Sequence, residues 1–282
     1  MAADCHIHMI LDGRDWKSAI ARHQNGPDRV WIADVLDACR KKGLTYLRDG
    51  GDRWGVGRAA REMAGDFGVT YRTPLAPIFR RGHYGGFIGE GFGDLEEYRR
   101  LVDRTGKNGG DFIKVMISGL MDFDRFGVLS QPGLRPEEIQ KMVEIAHAEG
   151  FSVMAHANGA RTVQAAAEAG VDSVEHGAYL DEAALRAMQQ AGTVWVPTLS
   201  TIGNLRGKGR FHEGAVEAIL HSAQENLRRF HAMGGLIACG SDAGAWAVPH
   251  ALGSEELLLQ EVFGSETGKI LTQGNAAIRA KF

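Results

Sequence analysis

Cysteine is scarce, with three residues in 282, at Cys5, Cys39 and Cys239. An odd and scattered set cannot make a disulfide framework, and it reads as the reduced thiols of a cytoplasmic protein. Proline is scarce too, with seven in the chain, and no Pro/Ser-rich linker or low-complexity segment divides the sequence. A basic excess is missing. Lys and Arg number 32 against 35 Asp and Glu, for a formal net charge of -3, which leaves no electrostatic footprint for a nucleic-acid partner. No uncharged apolar run approaches the length of a membrane span. No basic segment followed by an apolar stretch precedes the first motif, so no signal peptide is expected. These absences leave a protein without nucleic-acid or membrane partners that acts on a small molecule, with assembly into a homo-oligomer left open. A composition of 44% hydrophobic and 24% charged residues is that of an ordinary soluble globular chain.

Glycine, by contrast, is plentiful, and its placement is regular. A helical run near 32–42 ends at Gly43 and is followed at once by the apolar stretch 44–47. The same phrase recurs: helices near 57–67, 136–149, 160–169, 181–191 and 215–233 each end at a glycine and lead directly into a short apolar strand. Glycine accepts the left-handed conformation that follows a helix, and a strand right after it is the tight αβ turn of a parallel sheet. A helix near 94–105 precedes a further strand at 112–117 without such a turn. A last helix is expected from Ser254, with Ser254 as N-cap and Glu255 and Glu256 in the first turn, where the helix dipole favours them. With a strand at His6, the pattern gives eight strand–helix units. It predicts one α/β domain over residues 1–282, a single (β/α)8 TIM barrel. An open doubly wound sheet is the runner-up.

The polar residues then fall in one place. His6 and His8 flank Ile7, and in a strand two residues so spaced point to the same face. The fifth strand ends in His156, the sixth in His176 and the eighth in Asp242, while the fourth carries Lys114 between Ile113 and Val115. In a barrel these C-terminal ends meet at one mouth. Four converging imidazoles would repel one another if charged, whereas divalent cations bind their neutral forms. Nitrogen and oxygen donors suit Zn first, and six donors are too many for one tetrahedral ion, which points to two metals. Lys114 cannot ligate as an ammonium. Burial beside cations would favour its neutral amine, which can take up carbon dioxide to form a carbamate able to bridge both metals.

These residues resemble the amidohydrolase superfamily. The resemblance rests on His6-Ile7-His8, on Lys114 in the fourth strand, on Ala155-His156-Ala157 and Glu175-His176-Gly177, and on Ser241-Asp242-Ala243. Glu175-His176-Gly177 followed by Val196-Pro197-Thr198 is similar to the imidazolonepropionase/Xaa-Pro dipeptidase-like branch. It spans Asp4 to about Gly264, and the tail beyond follows the pattern poorly. The resemblance implies a metal-dependent hydrolase in which His6, His8 and Asp242 hold one metal, His156 and His176 the other, and carboxylated Lys114 bridges them. A metal-activated hydroxide is then expected to attack a carbonyl carbon, with Asp242, the single carboxylate among the converging ligands, as the catalytic base. The chain starts at the first strand, so the accessory β-sandwich domain of many members is not expected.

Substrate contacts are sought in the loops after the strands. Arg80, Arg81, His83 and Tyr84 follow the third strand, Tyr179 follows His176, Arg206, Lys208 and Arg210 follow the seventh strand, and Trp246 and His250 follow Asp242. Their cationic groups suggest a free carboxylate on the substrate, as in a dipeptide or an N-acyl amino acid. A lactonase, cyclic-imide hydrolase or deaminase on the same metals stays open, as does a metal-binding protein without catalysis.

Overall fold

The structure, a computed structural model, describes residues 3–282. Met1 and Ala2, at the start of the expected domain, lie outside the described residues. The strands are β1 (Ala3–Ile7), β2 (Tyr46–Asp49), β3 (Thr70–Arg72), β4 (Ile78–Arg80), β5 (Glu90–Phe92), β6 (Ile113–Met116), β7 (Val153–Ala157), β8 (Ser173–His176) and β9 (Val194–Val196). The helices are α1 (Trp16–Ala21), α2 (Arg29–Lys41), α3 (Val56–Ala64), α4 (Leu95–Lys107), α5 (Pro136–Ala148), α6 (Ala160–Glu168), α7 (Glu182–Ala191), α8 (Ser200–Gly203), α9 (Glu213–Ala232), α10 (Ser254–Phe263) and α11 (Thr267–Lys281).

All ladders are parallel, in the orders β1-β2-β3 and β5-β4-β6-β7-β8-β9. Residues 236–243 close the gap between β9 and β1. Ala238 N donates to Trp195 O at 2.9 Å, Cys5 N to Cys239 O at 2.7 Å and Asp242 N to His6 O at 2.7 Å. On the far side Asp111 N donates to Thr73 O at 2.9 Å. The result is a (β/α)8 barrel in which β3 and β4 are two halves of one strand. Pro74 and Pro77 lie between those halves, where their missing N–H groups interrupt the ladder.

Side-chain alternation sorts each strand. Ile113, Val115, Val153, Ala155 and Ala157 pack outward with helix residues such as Ile139, Val163 and Leu185. Phe112 and Met154 join the cluster on the barrel floor. Lys114 and His156 share their parity and so point inward with them.

Three local expectations need correction, and one helix goes beyond them. The second strand covers Tyr46–Asp49 rather than 44–47, which brings Arg48 and Asp49 into the sheet. The eighth strand forms no ladder, only the isolated bridges Trp195↔Ile237 and Ile7↔Ala243. Its Cys239 N–H bonds instead to Asn275 Oδ1 of α11 at 2.9 Å. The tail beyond Gly264 is the ordered helix α11, which seats against this segment at Gly274: a Cβ there would stand 1.8 Å from Ile237 O. Finally, the cap of α10 is Gly253 at φ 78° and not Ser254. Glu255 is buried, and its carboxylate accepts from Leu199 N at 3.0 Å and Ser200 N at 2.6 Å. It fastens the loop after β9 rather than facing solvent.

Candidate metal centre

His6 and His8 leave β1 toward the barrel mouth, and Asp242 meets them from the closing segment. His6 Nε2 lies 3.4 Å from His8 Nε2 and 3.4 Å from Asp242 Oδ1, and His8 Nε2 lies 3.3 Å from the same oxygen. Donors held tetrahedrally about 2.0–2.1 Å from zinc stand about 3.3–3.4 Å from one another. The triangle therefore has the edge length a single Zn ion needs. Gly50 makes room for it, because a Cβ at that position would come 2.2 Å from His8 Cε1.

The second pair adjoins the first. The ring centroids of His156 and His176 are 4.5 Å apart, and His176 sits 5.2 Å from His6. Lys114 is fully buried, and its Nζ has no hydrogen-bond partner; neither do Asp242 Oδ1 and His8 Nδ1. Such atoms are costly to leave unpaired in a protein interior. The donor set and its orphaned atoms thus fit cations.

Electrostatics agree. Burial lowers all four imidazoles, with His8 and His156 brought down to about 3, and the charge of Lys114 adds to the effect on each. Burial thus favours the neutral rings, the form that ligates. Burial also lowers the pKa of Lys114 and raises that of Asp242. A lysine so placed leans toward the neutral amine that a carbamate requires.

Several positioning residues escape a reading of strand alternation. His6 Nδ1 donates to Glu175 Oε2 at 2.7 Å, and Glu175 also pairs with the guanidinium of Arg48 at 2.8 Å. Successive strand residues should face opposite ways, yet Glu175 and His176 both face the centre. The cause is His176 itself, whose φ of 69° breaks the alternation in a region few non-glycine residues adopt. Asp242 and Thr198 show the same conformation, at φ 58° and 48°. Thr198 Oγ1 lies 2.7 Å from His176 Nδ1, and Gly119 O accepts from His156 Nε2 at 3.3 Å. The available signals were the glutamate beside a candidate ligand and the Val196-Pro197-Thr198 phrase.

The centre opens into a cavity of about 630 Å³. Its walls include Trp16, Tyr84, Phe87, Phe123, Phe211 and Trp246, and Arg14 and Arg210 stand among them. Of the expected substrate contacts, Tyr84 lines this cavity and packs on His156 with centroids 5.0 Å apart. Arg210 lines it too, stacked 4.2 Å over the Trp246 ring. Arg80 and Arg81 do not: Arg80 is paired with Glu138 of α5, and Arg81 with Glu97 of α4 at 2.5 Å. His83 and Tyr179 are also absent from the lining, and Tyr179 instead packs edge-on against Phe126 at 5.2 Å. His250 Nε2 donates to Leu11 O at 2.9 Å. All three cysteines are buried and free.

Ochratoxinase from Aspergillus niger is 29% identical over 231 residues, covering 71% of this chain and 47% of the ochratoxinase. The chain thus spans about half the length of the curated relatives it matches. Among solved structures, a Xaa-Pro dipeptidase with methionine bound in its active site superposes with a TM-score of 0.79 at 22% identity, over 99% of this chain and 75% of that one. The A. niger ochratoxinase structure gives 0.75 at 24% identity, over 99% and 69%. Molinate hydrolase gives 0.67 at 15% identity, over 98% and 72%. These likenesses attest the barrel. The amidohydrolase family profile matches residues 56–276, a span that contains Lys114, His156, His176 and Asp242 and most of the sequence: the chain belongs to the amidohydrolase family.

Proposed function

We propose that this protein is a metal-dependent hydrolase that cleaves an amide or peptide-like C–N bond in a small substrate carrying a free carboxylate. The observation that carries the reading is the convergence of His6, His8, Lys114, His156, His176 and Asp242, all buried except the half-buried His176, at one cavity that His8, His156, His176 and Asp242 line. His6, His8 and Asp242 would hold one metal, and His156 and His176 the other. The second pair offers only two neutral donors, and a carbamate on Lys114 would supply the anion that it lacks. Zinc suits this nitrogen and oxygen set best.

Divalent cations bound here would acidify a water and polarise the carbonyl oxygen of the substrate. The chain's own residues do the rest. Asp242 takes the proton from the attacking water and passes it to the leaving amine. With Oδ1 turned to His6 and His8, its second oxygen is left to carry the proton, whereas Glu175, the other carboxylate at His6, is committed to His6, Ser173 and Arg48. The aromatic walls exclude water and receive the apolar body of the substrate. Arg210, held flat on Trp246, and Arg14 at the rim receive the carboxylate.

Purified, metal-loaded protein should be screened against dipeptides, N-acyl amino acids, lactones and cyclic imides. The expected result is amide hydrolysis that a chelator abolishes. Turnover confined to lactones would overturn the C–N assignment.

A further inference from the structure

Beneath the metal centre lies a chain of contacts that the proposed chemistry does not use. Glu175 Oε2 accepts from His6 Nδ1 at 2.7 Å, with neither side chain exposed to solvent. Its second oxygen, Oε1, accepts from Arg48 Nη2 at 2.8 Å and from Ser173 Oγ at 2.5 Å. Arg48 also donates from Nε to Cys5 O at 2.7 Å and from Nη1 to Ser173 Oγ at 3.0 Å. Its guanidinium lies 4.3 Å over the ring of Phe282, which packs edge-on against Phe112 at 5.2 Å on the barrel floor. Every polar atom of the Glu175 carboxylate has a partner. The geometry leaves one arrangement for His6: the proton on Nδ1, and the lone pair of Nε2 facing His8 and Asp242.

A wholly buried ion pair is weak evidence of a stabilising role, since desolvating two charges offsets most of their attraction. This one touches a metal-ligand candidate directly. The matching position on the other pair is served by a neutral group, the Thr198 hydroxyl at His176 Nδ1. A carboxylate behind an imidazole raises its basicity and fixes its tautomer; a hydroxyl, which can donate or accept, adds no charge. We propose that Glu175, clamped by Arg48 and seated over Phe282, is a positioning residue that makes the His6–His8–Asp242 position the tighter of two unequal metal positions. This rests on the metal reading above and goes beyond it by ordering the two positions.

Co²⁺ titration of the full chain, read by visible absorption and by calorimetry, tests the order. The unaltered protein should take up two equivalents, the first at least about tenfold more tightly than the second. Glu175→Gln should weaken the first equivalent by about 10- to 100-fold, the usual effect of losing such a support, and leave the second nearly unchanged. Because that variant strands a buried guanidinium, the double variant Arg48→Met/Glu175→Gln, which removes both charges, carries the test if the single one fails to fold. Thr198→Val should weaken only the second equivalent. If either folded Glu175 variant binds its first Co²⁺ within twofold of the unaltered protein, the ion pair is structural and the proposal fails while the metal reading stands. Failure of the unaltered protein to bind Co²⁺ at all overturns the metal reading and the proposal with it.

Discussion

The two halves of the centre are built from the same ligand type and supported by different means. His6 and His8 share a third donor, Asp242, with edges of 3.3 to 3.4 Å, and His6 leans on a charged carboxylate. His156 and His176 have no third donor of their own, and lean on a backbone carbonyl and a hydroxyl. One half has three donors within reach of one another; in the proposed centre the other would be completed only through Lys114. The difference shows where the centre is fragile. Removing the bridge should damage both halves, and removing a support should damage one.

The largest effect is expected from Lys114→Ala. Both metals should be lost together, and kcat should fall by about 10³-fold or more, the several kcal/mol that metal-assisted catalysis supplies. Acetate or propionate should restore part of the activity by filling the bridge. Retention of two metals and full turnover would make the halves independent. Asp242→Asn comes next. It should lower kcat by about 10²–10⁴-fold, the range for a lost general base, while His6 and His8 still retain part of the first metal by elemental analysis. Near-normal turnover would remove Asp242 from proton transfer.

A steric change sharpens the contrast without touching charge. Gly50→Ala places a methyl group against the His8 ring. It should cost about 1–3 kcal/mol in thermal unfolding, as overpacking does, and should disturb the first position only.

The smallest effect is on the metal-free protein. Burial raises Asp49 to about 7 from an ordinary 3.8, and Glu255 to about 8 from 4.5. The folded chain then holds protons that the unfolded chain has already released. These two carboxyls contribute stability that is present in mild acid and lost as pH rises through about 4 to 8, while the buried histidines, whose pKa values are lowered, contribute the opposite slope below about 6.5. Comparing the unaltered chain with Glu255→Gln isolates the carboxyl part: in melting curves across that range the unaltered chain should lose more stability than the variant as pH rises. Equal slopes for the two proteins would contradict the shift assigned to Glu255.

The barrel and the converging residues were legible in the sequence because both are periodic. Glycine closes helix after helix, and the ligand candidates sit at one relative position in unit after unit. The supports were not legible, for reasons of local geometry. Glu175 and His176 both face inward only because His176 adopts a positive φ, and Arg48 enters the sheet only because β2 begins two residues later than its apolar run. Arg80 and Arg81 looked like substrate cations because a loop charge does not reveal its partner. Theirs are Glu138 and Glu97, on helices far along the chain. Helix α11 was missed because few apolar residues mark it; Ile270, Leu271 and Ile278 bury its inner face, and Gly274 allows its close approach.

Metal content tests the whole arrangement most directly. Protein purified and reconstituted with zinc should carry close to two divalent ions per chain by elemental analysis, and a chelator should remove them along with the activity. Protein that holds no stoichiometric metal after reconstitution would contradict the assignment of His6, His8, Lys114, His156, His176 and Asp242 to one centre.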